Sequence, residues 1–487
     1  MTSFDSALDL AAAIRERRIS PTEAMELYLG RVDELDPTLN AFAFRDDERA
    51  RADAAVATEL VAGTDPESLP PFCGVPIPIK DLNRVQGWPT TYGSRGVPEA
   101  PEAADDPPVA RLRNAGFVLM GKTTTPEFGT ISMTESKRLG ASRNPWNPDH
   151  TPGGSSGGAG AAVASGMAPI AHASDGGGSI RIPASCNGLV GLKSSRNRIA
   201  NIVEAMTSAS TSGVVSRTVA DTAAVLDVLS QVDRGAWNVA PPPSRPFAAE
   251  IGESPGRLRI RVTSNNALGV EVDPECAAAV QAVAAVLSDL GHDVVEGDPH
   301  WPDPSQFLSG FLTVWSTIAA GVPNLDIEAV EAHNRANWDL AMATTAIGYS
   351  QAQFALQAAS RDFVAQFSGG LDRIAFGASG DSAGDAGFDV LVTPTMAVEP
   401  PVVGSIWEGA EVDPGAPLVN ATPMAAYTAI YNVTGQPALS LPLHTAASGL
   451  PVGVQFAAGP WNEALLLRLG SQIEAAVPWV DRWPTIA

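Results

Sequence analysis

Two serines in glycine-rich loops, with one lysine upstream, are the residues of this chain best suited to covalent chemistry. The loops are Gly153-Gly154-Ser155-Ser156-Gly157-Gly158 and Asp175-Gly176-Gly177-Gly178-Ser179-Ile180-Arg181, and the lysine closes Val75-Pro76-Ile77-Pro78-Ile79-Lys80-Asp81. A serine hydroxyl is a weak nucleophile until a neighbouring base takes its proton. The chain holds four lysines among its 31 basic residues, Lys80, Lys122, Lys137 and Lys193, all within the stretch that also carries both loops. Arginine meets the need for positive charge elsewhere. Lysine can be deprotonated inside a protein and arginine effectively cannot, so a lysine retained in such a background is a candidate base. Burial beside Ile77 and Ile79 would favour its neutral form. The successive N–H groups of Gly176, Gly177, Gly178 and Ser179 can form a concave nest for a developing oxyanion. Asp175 and Arg181 flank that nest. They can pair across it, or form an ordinary surface ion pair.

These groups need elements to hold them. Gly74–Ile79 alternates proline with β-branched residues, the pattern of an edge or terminal strand, and delivers Lys80 at its end. The small residues 159–164 after the first loop are helix-compatible and put that loop at a helix N-terminus. Upstream, residues 5–36 read as two amphipathic helices, the second opened by the capping box Ser20-Pro21-Thr22-Glu23. Residues 46–60 read as a third helix, Phe117–Met120 as a short strand, and Val215–Leu229 as a helix. Leu258–Val262, a helix from Glu275 to Leu290 and Asp293–Glu296 form a βαβ-like unit. Phe388–Val392 reads as a strand, the proline-rich 398–423 as an irregular surface loop, and the residues around Pro442 and Gly449–Gln455 as a final hairpin. The fold class is α/β, one large domain over 1–487.

Composition narrows the functions available. The formal net charge of −23 disfavours nucleic acid and anionic membrane surfaces as partners. Cys73, Cys186 and Cys276 are widely spaced with no CxxC pair, which argues against a disulfide framework and a zinc site, so no metal or cofactor is expected. No apolar run is long enough to span a membrane, and the N-terminus has no signal-peptide character. The expected setting is the cytoplasm. Gly116-Phe117-Val118-Leu119-Met120-Gly121-Lys122-Thr123 satisfies GxxxxGK[ST], but a phosphate loop needs a flexible turn between its glycines and a helix after the lysine. Phe-Val-Leu-Met reads as a buried strand instead, and the match as coincidence. None of the six histidines (His150, His172, His292, His300, His333, His444) sits in a recognisable triad context, and there is no G-x-S-x-G elbow.

The motifs together resemble those of the amidase signature hydrolases: a lysine after a Val-Pro-like strand, a GGSSGG loop and a D-x-GGS-[IV]-R-x-P segment. Gly140-Ala141-Ser142-Arg143-Asn144-Pro145-Trp146-Asn147, Phe388–Thr395 and Asn432-Val433-Thr434-Gly435-Gln436-Pro437-Ala438 are similar to further landmarks of that family, so the resemblance covers nearly the whole chain. Gly176 and the Lys193-Ser194-Ser195 segment depart from its commoner residues. The resemblance implies a mixed central β-sheet covered by helices on both faces, with catalytic motifs over 74–200 and a variable substrate-shaping region at about 300–425. It implies Ser179 as nucleophile, Ser155 after a cis peptide from Gly154 as relay, Lys80 as base, and Ser156 as support. Asp273-Pro274-Glu275-Cys276-Ala277-Ala278-Ala279 and Val477-Pro478-Trp479-Val480 are similar to hydrolases of 6-aminohexanoate cyclic dimer.

That implies a small or oligomeric amide as substrate. Thr130, Ile131, Ser132 and Met133 are expected on its acyl side, and the regions around Trp315 and 405–425 on its amine side; Trp315 reads equally well as core. Carbamate and ester cleavage are alternatives on the same trio. So is a role as catalytic subunit of a tRNA-dependent amidotransferase, although the acidity of the chain weighs against it. The chain is expected to act as a monomer or homodimer.

Overall fold

Ser20 opens the second helix as a true capping box: its hydroxyl accepts from the Glu23 amide while the Glu23 carboxylate takes the Ser20 amide, with Pro21 at the first turn. Such local signals locate most elements of the computed structural model, which describes residues 6–200, 209–367 and 387–487. The helices Ala7–Arg15, Pro21–Leu39 and Asp47–Gly63 match the three expected near the N-terminus. Residues 368–386 of the expected substrate-shaping region lie outside the described residues.

Two of the three sheets among the described residues organise the site. An eight-stranded mixed sheet runs in the order Asp293–Glu296, Arg259–Val262, Val390–Pro394, Pro451–Ala458, Ala438–Thr445, Val190–Lys193, Thr211–Ser216, Ala171–Asp175. The first three strands are mutually parallel, and every other pairing is antiparallel. Strand alternation sends neighbouring residues into different cores. Leu439, Leu441, Val454 and Phe456 enter the largest core with the helix Glu463–Ala476, whereas Leu391, Ala438 and Ala457 enter a second core with Trp315, Phe363 and Tyr431. Both faces of the sheet are therefore covered, as an α/β fold requires.

A smaller sheet places the lysine. Its order is Phe42–Phe44, Val118–Thr123, Pro76–Lys80, so the lysine strand is at its edge, paired in parallel with Val118–Thr123. An edge is where a strand with two prolines, each lacking an N–H, is tolerated.

Two expectations need correction. Val215 and Ser216 belong to the strand Thr211–Ser216, and the helix begins only at Val219, where Thr218 caps it. The segment 398–423 is not an irregular surface loop throughout. Pro417 and Pro423 occupy first-turn positions of two short helices, Ala416–Asn420 and Thr422–Ala425, where a missing N–H costs nothing. Among the described residues no helix is long and apolar enough to cross a membrane.

Candidate active site

Lys80 is fully buried at the end of its strand. Its Nζ lies 2.8 Å from Ser155 Oγ, 3.1 Å from Ser174 Oγ and 3.4 Å from the Ser174 carbonyl. All these partners are neutral. Burial pushes the ammonium down to about 7, against the pull of the Asp175 charge. Lys122 is equally buried yet sits 2.6 Å from Asp81 and also donates to Thr90 and the Pro89 carbonyl. Its strand, Val118–Thr123, contains the second glycine of the GxxxxGK[ST] match, so no phosphate loop exists there.

The Gly154–Ser155 peptide is cis. The loop opens onto the helix Gly157–Ala164, whose small face lets other chain segments pack closely; a Cβ at Gly158 would lie 2.5 Å from the Ala41 carbonyl oxygen. Ser156 does not cap that helix by its side chain; its hydroxyl donates to the Ser174 carbonyl at 3.2 Å. Ser156 and Lys80 thus share one neighbour, Ser174, on the strand Ala171–Asp175. Sequence reasoning passed over Ser174. Its position directly before Asp175, on the same strand that delivers the second loop, was the available signal.

The second loop is held from inside. Asp175 and Arg181, both fully buried, make two hydrogen bonds of 2.9 and 3.0 Å, so the pair is not a surface ion pair. Burial alone would raise the Asp175 carboxyl, but the guanidinium overrides it and holds the group well below the usual carboxylate range. The same carboxylate accepts the amides of Gly178 at 2.7 Å and Ile180 at 3.2 Å. The expectation that Gly178 lends its N–H to an oxyanion nest is therefore corrected: that donor is turned inward to Asp175. The N–H groups of Gly176, Gly177 and Ser179 make no hydrogen bond to the described residues. Two residues remote in sequence complete the turn. Thr428 Oγ1 donates to the Gly177 carbonyl at 2.6 Å, and Asn432 Nδ2 donates to both the carbonyl and the carboxylate of Asp175 at 2.9 Å.

Ser179 lines a solvent-open cleft. One wall is Gly129 with Thr130, Ile131 and Ser132; a second is Phe307, Phe311 and Trp315; a third includes Leu418, Thr422 and Ala425. A Cβ placed on Gly129 would lie 2.9 Å from Ser155 Oγ, so the Ser155 hydroxyl sits under the same cleft that Ser179 lines. Met133 is absent from the lining. It is buried in the apolar cluster that also holds Ile131, Ile182, Cys186 and Met396, and because it lines no part of the cleft the expectation that it faces substrate is corrected. Trp315 is both core and wall, stacked on Phe311 at 5.1 Å, which stacks in turn on Phe307 at 6.3 Å. This ladder on the helix Pro304–Trp315 follows from aromatic residues four apart on one face.

Behind the first wall is a polar cluster that sequence reasoning missed. Thr130 Oγ1 donates to Asn334 Oδ1 at 2.7 Å and lies 3.3 Å from His333 Nε2. Glu127 accepts from Ser94, from the Glu331 amide and from Asn334 Nδ2. Among the described residues no histidine bonds Ser179, and burial lowers His333 to about 4 and His172 to about 3.

The chain can now be set beside known proteins. An amidase family profile matches residues 23–467. The chain is 37% identical over 500 residues to a 6-aminohexanoate-cyclic-dimer hydrolase from Pseudomonas sp., covering 99% of this chain and 97% of that protein. The solved structure of 6-aminohexanoate cyclic dimer hydrolase complexed with substrate is similar at a TM-score of 0.88 and 34% identity, covering 99% and 98% of the two chains. A bacterial aryl acylamidase is similar at a TM-score of 0.84 and 25% identity, covering 98% and 97%. With a match of that length, this chain belongs to the amidase signature family of amide hydrolases.

Proposed function

We propose that the protein cleaves the C–N bond of small or oligomeric amides, cyclic, linear or aryl, with Ser179 as nucleophile, Ser155 as proton relay and Lys80 as base. The observation that carries this reading is the 2.8 Å contact between Ser155 Oγ and a fully buried lysine amine that meets no carboxylate. A base must be deprotonated at working pH, and an amine brought down to about 7 is half neutral there. Ser179 Oγ attacks the carbonyl carbon. Its proton passes to Ser155 Oγ while the proton of Ser155 passes to Lys80 Nζ. The N–H groups of Gly176, Gly177 and Ser179 receive the oxyanion, a donor set whose members are each worth about 3 kcal/mol of barrier in comparable sites. Collapse breaks the C–N bond, and the amine leaves with a proton returned from Lys80 through Ser155. Water then attacks the acyl-enzyme by the same relay and frees Ser179. Ser156, Asp175 and Arg181 position the two loops and touch no reacting atom.

Thr130, Ile131 and Ser132 form the wall beside Gly129, and Phe307, Phe311 and Trp315 form an aromatic wall that suits an apolar acyl or amine portion. The names of the relatives, a cyclic-dimer hydrolase and an aryl acylamidase, support neutral amides of these two kinds. The test is turnover by the purified single chain, without glutamine or a partner protein, of 6-aminohexanoate cyclic dimer, an aryl amide and an aryl carbamate. Amide turnover that vanishes in Ser179→Ala is expected; faster carbamate than amide turnover would shift the substrate class, and no turnover of any would reject the reading.

A further inference from the structure

Phe311 and Trp315 line two adjoining spaces. One is the cleft that holds Ser179; the other is a solvent-open pocket lined by the same two residues together with Arg196, Gln353, Gln357 and Val433. The rings stand directly over the nucleophile turn, since a Cβ on Gly177 would lie 3.6 Å from Trp315 and 3.7 Å from Phe311.

We propose that this second cavity is a carboxylate-binding subsite with Arg196 as its cation. The charge pattern around it motivates the assignment. Arg181 is paired with Asp175, Arg198 with Glu463 and Lys122 with Asp81, all in near-complete burial. Arg196 has no carboxylate partner among the described residues. Its Nη2 donates to the Asn432 and Val433 carbonyls, and its Nε is buried with no partner. Its stem and guanidinium are stacked against Gly435, where a Cβ would meet them at 3.0–3.4 Å, so the group is held in place rather than free to seek solvent. A partly buried cation anchored on two carbonyls, with a buried unpaired Nε and no counter-charge, is stabilised by an anion that completes it. A planar guanidinium matches a carboxylate in geometry, and the Gln353 and Gln357 amides supply further donors. The apolar remainder of the lining, Val314, Leu356 and Val433, suits a short alkyl chain behind the carboxylate.

The carboxylate comes either from the far end of an extended amide or from a separate small organic acid. In the first case the subsite rests on Ser179 acting in the adjoining cleft; in the second it does not. Two measurements on the full chain separate these sources. Thermal unfolding with and without hexanoate reports binding of a free acid. The kcat/KM of a dicarboxylic acid monoanilide, set against the same anilide ending in a carboxamide, reports recognition of a substrate tail. Hexanoate is expected to raise Tm, or the acid to be preferred about ten-fold, the scale of one charge-assisted hydrogen bond. Arg196→Gln is expected to abolish whichever response is present.

Hexanoate stabilisation without acid preference assigns a separate small acid, and preference without stabilisation assigns the substrate tail; either supports the subsite. Absence of both in the wild type, or their survival in Arg196→Gln, overturns it. Should that variant fail to fold, Gln353→Leu replaces it and is expected to weaken the same response. Failure to hydrolyse the carboxamide anilide, with hexanoate stabilisation intact, would reject the amide-cleavage reading and leave the subsite standing.

Discussion

Arg181 grips Asp175 across the turn that carries Ser179, through hydrogen bonds of 2.9 and 3.0 Å in complete burial. The Asp175 carboxylate also takes the amides on either side of Ser179, those of Gly178 and Ile180. A loop of three consecutive glycines would otherwise be the most mobile backbone in the site. Here it is fixed by a carboxylate that is itself fixed by a guanidinium.

Asp175→Ala leaves the Arg181 charge buried without its partner. Breaking a buried pair from one side costs about 3–5 kcal/mol. Urea unfolding at pH 7 should show a loss on that scale. The folded fraction should also turn over more slowly, because the nest is no longer pinned. An unchanged midpoint would mean that the pair contributes nothing net.

The pH dependence follows from Lys80. With its ammonium at about 7, kcat/KM should rise with pH through about 7 and level off above it, as the neutral amine accumulates. A profile that falls over the same range would exclude Lys80 as the base.

Lys80→Met should lower turnover by about 10²–10⁴-fold, the usual worth of a positioned base, while making the fold more stable at neutral pH. The lysine in the folded chain lies below its ordinary 10.5. Between about pH 7 and 10.5 the unfolded chain holds a proton that the folded chain has released, so wild-type stability rises with pH across that window. Lys193, also pushed to about 7 by burial and the Arg181 charge, adds a slope of the same sign. The Tm advantage of Lys80→Met should therefore be largest near pH 7 and shrink toward pH 10.

Neighbouring glycines of the nest should respond differently to alanine. At Gly178, φ is +133° and a Cβ would lie 2.3 Å from Thr428 Oγ1 and 2.7 Å from Ile182 Cδ1. Strain of about 1–3 kcal/mol from the backbone alone is expected, with the clash added, so Gly178→Ala should unfold earlier and lose activity. At Gly177 the nearest atoms are Trp315 and Phe311 at 3.6–3.7 Å, ordinary contact. Gly177→Ala should fold with wild-type Tm and register mainly in KM, because the methyl group projects toward the aromatic wall. Equal thermal destabilisation of the two variants would contradict this.

Lys122→Met should behave as a structural lesion. It strands the Asp81 carboxylate, which is 2.6 Å from Lys122 Nζ and 1% exposed. A stability loss of about 3–5 kcal/mol is expected, with the pH profile of the folded enzyme retaining its rise through about 7. Loss of that rise would mean that Lys122, not Lys80, sets it.

Residue type and local spacing by themselves determined which groups the proposed chemistry is assigned to: a lysine at a strand end, serines in two glycine loops, an aspartate and an arginine bracketing the second. They also determined the helices with strong caps, such as the one opened by Ser20 and Glu23. Only the tertiary structure decided how those groups divide their work. Lys80 and Asp81 are chain neighbours that could have paired, yet Asp81 goes to Lys122 and leaves Lys80 to Ser155 and Ser174. Thr428 and Asn432, some 250 positions downstream of the loop they brace, carry no local mark of that role. Nor does Gly178 differ from Gly176 or Gly177 as a letter, though its N–H alone of the three is spent on Asp175. Met133 and Ile131 are equally apolar and share one buried cluster, yet only Ile131 also lines the cleft. The reason is the same in each case. Hydrophobic period and capping act over a few residues, whereas the order of strands in a sheet, and hence which side chains meet across it, depends on packing between segments far apart in the chain.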